Sequence, residues 1–127
     1  MKTLVATLII LAGAACAAEP ALVIHYNERP PHHYTQRGAA AGDAVAKVEH
    51  ALTAAGIAHT FRSTPAKQQL VILKANQEPA CMMSWNALPG RERGGKLSAP
   101  VYEERRLWCT KAVPDELMQR LDQALLK

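Results

Sequence analysis

The chain has 127 residues and a net charge of +4, with 49% apolar and 20% charged side chains. That is room for one domain with a modest core, and the mix excludes both a disordered chain and a fibrous one. Nucleic-acid binding is also excluded, because it needs a basic stripe with interleaved aromatics. Only Arg91, Arg93 and Lys96, then Arg105 and Arg106, approach one. Arg91 apart, these read as solvated surface charge.

Met1-Lys2 supplies a positive start, Leu4 to Leu11 an apolar run, and Ala12 to Ala18 a small-residue stretch. This is the three-part pattern of a secretory signal peptide. It predicts a leader over 1–18, a single lobe over 19–127 and a periplasmic destination. The run is shorter than the roughly 20 apolar residues a membrane span needs, and nothing later in the chain is longer. Cleavage after Ala17 or Ala18 removes Cys16. The alternative is a lipoprotein anchored at Cys16, but Gly13-Ala14-Ala15 lacks the leucine expected three residues upstream.

Without Cys16, Cys81 and Cys109 remain. An exported pair in an oxidising space favours a disulfide, which would add about 3–4 kcal/mol by closing the loop between them. Two buried free thiols in neighbouring strands are the alternative.

Leu22 to Tyr26 is apolar and β-branched, which predicts a strand buried on both faces. Pro30-Pro31 interrupts it with an extended loop, and Gly38 to Gly42 is a second turn. Asp43 opens a helix with Val45, Val48, Leu52 and Ala55 on one face, and Gly56 closes it. Ile57 to Phe61 alternates as a strand. Thr64-Pro65 starts a helix, with the hydroxyl as cap and a wide apolar face from Leu70 to Leu73. Ala80 to Ser84 is a third strand, and Trp85 to Lys96 a polar, glycine-rich loop. A fourth extended segment lies within Val101 to Thr110. Pro114 opens a last helix with Leu117, Leu121, Ala124 and Leu125 as its buried stripe. The order β-α-β-α-β, then β-α, predicts an α/β lobe with a mainly parallel sheet covered on both faces. Ligands of such sheets bind beyond the carboxyl ends of the strands, where segments 27–42, 62–64 and 85–99 fall.

In order, the chain carries Tyr26, Pro30-Pro31-His32-His33-Tyr34, Gly42, Pro65, Leu73, Ser84, Pro89-Gly90-Arg91 and Ser98-Ala99-Pro100-Val101-Tyr102. This ordered set, over about 22–111, resembles lobe one of the bacterial family 3 periplasmic solute-binding proteins, the amino-acid-binding receptors of ABC transporters. The resemblance implies the type II periplasmic binding protein fold and a small carboxylate-bearing ligand such as an amino acid. It implies an ABC permease or a sensor as protein partner, and no cofactor. Arg91 matches the arginine that grips the ligand carboxylate, which a guanidinium does with two parallel charge-assisted bonds. Ser84 and Asn86 match the groups that assist it, and Tyr26 or Tyr34 the aromatic floor.

The chain departs from that pattern. Gly42-Asp43-Ala44-Val45-Ala46 keeps only part of the family's helix-start motif, and Leu88 replaces a threonine before Pro89. Val113-Pro114-Asp115-Glu116-Leu117 follows where the family crosses to its second lobe. A lone lobe leaves much of a ligand wet, and losing about 4 kcal/mol of contact takes a micromolar site to roughly millimolar. A homodimer with lobes face to face would restore enclosure. Three rival readings remain: a truncated or accessory relative without tight binding, a metal site built on His32, His33, His25 and His59, and an enzyme using Glu28 or His32. Adjacent histidines point apart, and one lobe encloses no substrate, so neither a metal nor catalysis is expected.

Overall fold

The computed structural model describes residues 20–127, with Thr3 and Val5 ahead of them. The rest of the expected leader, Cys16 included, lies outside the described residues. In chain order the elements are β1 (Leu22–Tyr26), β2 (Tyr34–Gln36), β3 (Ala39–Ala41), α1 (Asp43–Ala54), β4 (His59–Ser63), α2 (Ala66–Ala75), β5 (Ala80–Asn86), α3 (Arg91–Gly94), β6 (Lys96–Tyr102), β7 (Arg105–Cys109) and α4 (Asp115–Leu125).

Five strands form one sheet in the order β4-β1-β5-β7-β6. β1 pairs in parallel with β4 and β5, β7 runs against β5, and β6 runs against β7 and hence with the rest. The α/β lobe expected from the sequence is therefore present, with β7 reversed in a mixed sheet.

Both faces are covered because the strands carry apolar side chains at consecutive positions. Leu22, Ile24, Cys81, Met83, Leu107 and Cys109 pack with Val48, Leu52 and Leu121 of α1 and α4. The alternate positions Ala80, Met82 and Trp108 pack with Leu73 of α2. The result is three layers.

The segment expected as a single strand near 101–110 is a hairpin, β6 turning at Glu103-Glu104 into β7. No Gly or Asn marks that turn, so the sequence pattern runs straight through it. Pro100 has no amide proton to give, which suits the edge position of β6. The side chain of Asp122 on α4 accepts the neighbouring Ala99 amide at 2.7 Å, closing part of that edge. The loop expected over 27–42 contains a second small hairpin, β2-β3, whose two-residue turn places Arg37 (φ 52) and Gly38 (φ 76) in the left-handed region.

α1 starts at Asp43 as expected, whereas the start of α2 differs from expectation. Thr64 does not cap α2. No side chain does, and the Thr64 hydroxyl lies 2.7 Å from His25 Nδ1 instead. Nor is the apolar run of that helix all interior, since Leu70 and Val71 are exposed. At α1 the first amides donate to main-chain carbonyls, Asp43 to Pro31 (3.1 Å) and Ala44 to His32 (3.0 Å). That approach requires Gly42 at φ 121, where any Cβ would meet the His32 carbonyl carbon at 2.6 Å.

Cys81 and Cys109 face each other across β5 and β7 and form a disulfide with both residues fully buried. Their 28-residue separation sets the stabilisation at about 3–4 kcal/mol in the chain-entropy model. The double variant Cys81→Ala/Cys109→Ala should lose about that much in urea unfolding. A loss below about 1 kcal/mol would show that the cross-link does not hold the denatured chain together.

Candidate functional site

Beyond the carboxyl ends of β1 and β5 lies an open cleft of about 210 Å³, lined by Asn27, Arg29, Ala66, Gln69, Met83, Ser84, Trp85, Asn86, Arg91 and Arg105. Three sequence-predicted residues, Arg91, Ser84 and Asn86, meet here. A separate cavity of about 250 Å³ sits at the other end, between Leu22, Ile57, Pro79 and Leu117, and none of the predicted site residues lines it.

Arg91 starts the short helix α3. Its guanidinium lies 5.0 Å from the Trp85 ring and 5.3 Å from the Trp108 ring, and one Nη donates to the Asn86 carbonyl at 2.6 Å. The cation is thus held by two indoles and one carbonyl, with further donors left for an acid group. Trp108 donates in turn to the Arg91 carbonyl at 3.1 Å, and Trp85 to Gln69 Oε1 at 2.9 Å.

Ser84 sits where β5 leaves its regular course. Met83 and Ser84 together oppose Leu107 of β7, and Ser84 takes φ 66. Bulges of this kind re-aim a side chain beside a site. The Ser84 hydroxyl meets His33 Nε2 at 2.6 Å and accepts from the Tyr102 hydroxyl at 3.0 Å. His33 Nδ1 lies 2.5 Å from the Asn27 carbonyl, which can only accept. The ring proton therefore sits on Nδ1, and neutral Nε2 accepts from Ser84. Burial holds the His33 pKa below its ordinary value, and Arg29 and His32 push the same way against the pull of the Asn27 carbonyl and Glu28.

The tyrosines lie elsewhere. Tyr26 is buried and bonded to Thr35 Oγ1 at 2.8 Å, and Tyr34 pairs with Ala41 in the small hairpin; neither lines the cleft. The four histidines weighed as metal ligands are separately engaged. His25 bonds Thr64, His32 bonds Asp43 at 2.9 Å, His33 bonds Ser84, and His59 bonds the Ile57 carbonyl. Among the described residues no three His, Cys, Asp or Glu side chains gather as a metal site. Glu28 accepts from the Thr35 amide and hydroxyl and from Ser63, bonds that hold its carboxyl below the usual range. His32 stacks on Tyr102.

Arg29 and Arg105 line the cleft although the sequence did not single them out for it, and His33, weighed from the sequence only as a metal ligand, bonds Ser84 beside them. Arg105 enters because β7 folds back beside β5, opposite Asn86, where it donates to the Ser84 carbonyl at 3.2 Å. The unmarked hairpin turn hid that placement.

No family model matches the chain, and no curated protein does. Solved structures match its fold. The arginine-bound form of domain 1 from TmArgBP superposes with a TM-score of 0.66 at 13% identity, covering 84% of this chain and 91% of that one. A single-substitution mutant of the same domain gives 0.66 and covers 89% of that chain. The arginine-, lysine-, histidine-binding protein ArtJ from Geobacillus stearothermophilus gives 0.56 at 17% identity over 64% of this chain, which spans 36% of its length. The chain thus has the fold of one lobe of amino-acid-binding proteins, as the ordered residues of its sequence imply. No helix among the described residues is long and apolar enough to cross a membrane.

The buried histidines give a pH test. His25 is also lowered, mainly by burial and then by Arg62, against Glu78. A histidine lowered in the fold binds fewer protons there than when unfolded, so stability is full above the ordinary value near 6.5 and drops as pH falls below it. Unfolding free energy should decline between about pH 7 and about pH 5, with a shallower slope in His33→Gln. An unchanged slope in that variant would show that burial does not hold His33 neutral in the fold.

Proposed function

We propose that this chain is an exported, periplasmic solute-binding lobe that recognises a small carboxylate-bearing ligand in the cleft at the carboxyl ends of β1 and β5. The carrying observation is the convergence there of Arg91, Ser84 and Asn86, drawn from two segments of chain, on the edge where ligands of such sheets bind. Arg91 is already positioned by Trp85, Trp108 and the Asn86 carbonyl, so little side-chain freedom remains to be lost when an acid group docks. The arginine-bound form of domain 1 from TmArgBP supports single-lobe capture in this fold. The partner after capture is an ABC permease or a sensor. A homodimer with clefts facing would enclose the ligand further.

Binding by the monomer is weak, with a dissociation constant on the order of a millimolar, because one lobe leaves the ligand half wet. Calorimetry or thermal-shift screening of amino acids and small carboxylic acids should find a ligand whose carboxamide analogue fails to bind. Arg91→Ala should weaken that ligand by about tenfold or more. A panel without a single binder, or an Arg91→Ala protein that binds as well as the parent, would sink this reading.

A further inference from the structure

We infer that the cleft selects ligands with two acid groups and no cationic side chain: a small dicarboxylate, with the acidic amino acids as its ammonium-bearing members. This rests on the reading of the cleft as a carboxylate site and names the class of ligand. Of the ten side chains lining it, three are guanidinium groups, Arg29, Arg91 and Arg105, and none is a carboxylate. One guanidinium serves one carboxylate. The surplus positive charge has no counter-ion in the wall and favours a second anionic group on the ligand.

Two further features point the same way. Ala66 lines the cleft at the first turn of α2, a helix of ten residues whose N-terminus receives no side-chain hydrogen bond. Its leading amides add positive potential where the ligand sits. Three acidic residues adjoin lining residues in sequence, Glu28, Glu92 and Glu104; none of them lines the cleft, and Glu28 is turned onto Thr35 and Ser63. A ligand with a guanidinium or ammonium tail would therefore meet like charge without a partner, a repulsion that works as specificity. For the same reason the site offers an amino group only neutral acceptors, such as the side chains of Asn27 and Asn86. Succinate should then bind at least as well as L-aspartate.

Arg105 holds the second subsite. It lines the cleft from β7 and donates to the Ser84 carbonyl with one Nη, whereas Arg91 lines it from α3. Arg29 is exposed at the rim, on the loop after β1.

Calorimetry at low salt with succinate, L-glutamate, L-glutamine, L-arginine and inorganic phosphate tests this. One or both dicarboxylates should bind at least tenfold more tightly than the other three. Added salt should weaken them more than it weakens L-glutamine. Arg29→Ala, at an exposed position, and Arg105→Lys, which keeps the charge but loses the fork, should each cut dicarboxylate affinity by about threefold to tenfold, and by more than they cut L-glutamine affinity; an equal loss for both ligands would overturn the second subsite. L-glutamine or L-arginine binding within tenfold of both dicarboxylates would overturn the inference and leave the carboxylate site standing. Phosphate binding more tightly than either dicarboxylate would replace it with an inorganic anion site. If none of the five binds at up to about 20 mM, both this inference and the site it rests on fail.

Discussion

Leu107 is fully buried at the middle of β7, and each neighbouring strand bulges against it. On one side Met83 and Ser84 share its place in the register, and on the other Ser98 and Ala99 do. A bulge leaves ladder groups unpaired, so something else must satisfy them. Here Ser98 Oγ accepts the Leu107 amide at 2.9 Å, Asp122 accepts the Ala99 amide, and Arg105 donates to the Ser84 carbonyl. Left-handed φ at a non-glycine residue costs about 1–3 kcal/mol, and the hydroxyl bonds of Ser84 to His33 and Tyr102 offset part of it. This double irregularity separates a plain β5-β7-β6 ladder from one that builds a cleft.

The consequence for the site is a change of face. In a regular strand Trp85 would follow Met83 toward α1 and α4. After the bulge it lies against Trp108 on the α2 side, with ring centroids 5.4 Å apart. The two indoles then form the seat for Arg91, while Ser84 keeps the side of Met83 and reaches His33. A single backbone adjustment therefore serves both the arginine cradle and the hydroxyl relay. Any change that straightens β5 should damage both together.

Much of the layered fold was legible because it rests on periodicity. Leu22 to Tyr26, Ala80 to Ser84 and the α1 and α4 stripes are repetitive patterns, and burial follows them closely. Glycine likewise announced the end of α1, where Gly56 takes φ 69. The failures have local causes. Glu103 turns the β6-β7 hairpin at φ 49 without a turn-forming residue, so two strands read as one. Thr64 has the chemistry of a cap, but His25 competes for its hydroxyl. Of the candidate site, Arg91, Ser84 and Asn86 were legible through the ordered motifs that resemble the family 3 solute-binding proteins. Arg105 and Arg29 were not, since their approach depends on a hairpin and a loop that pattern alone does not place. Tyr26 and Tyr34 illustrate the converse, aromatic residues at the right edge whose hydroxyl or strand pairing takes them out of the cleft.

A shared fold sets where a ligand sits and leaves open which ligand it is. The strand order and the cleft at the sheet's carboxyl edge come from backbone pairing, and the fold is shared at 13% identity with a domain solved in an arginine-bound form. The charge of the cleft comes from single side chains on its rim and can reverse without disturbing any strand. In this chain the rim side chains that pair with the backbone are themselves cations: Arg91 with the Asn86 carbonyl and Arg105 with the Ser84 carbonyl. Each carbonyl dipole fixes a guanidinium in place without cancelling its charge. A carboxylate in the wall would have fixed it equally well and neutralised it. The choice of carbonyl over carboxylate as the anchor lets Arg105 brace the bulge while both guanidinium groups keep their positive charge in the cleft.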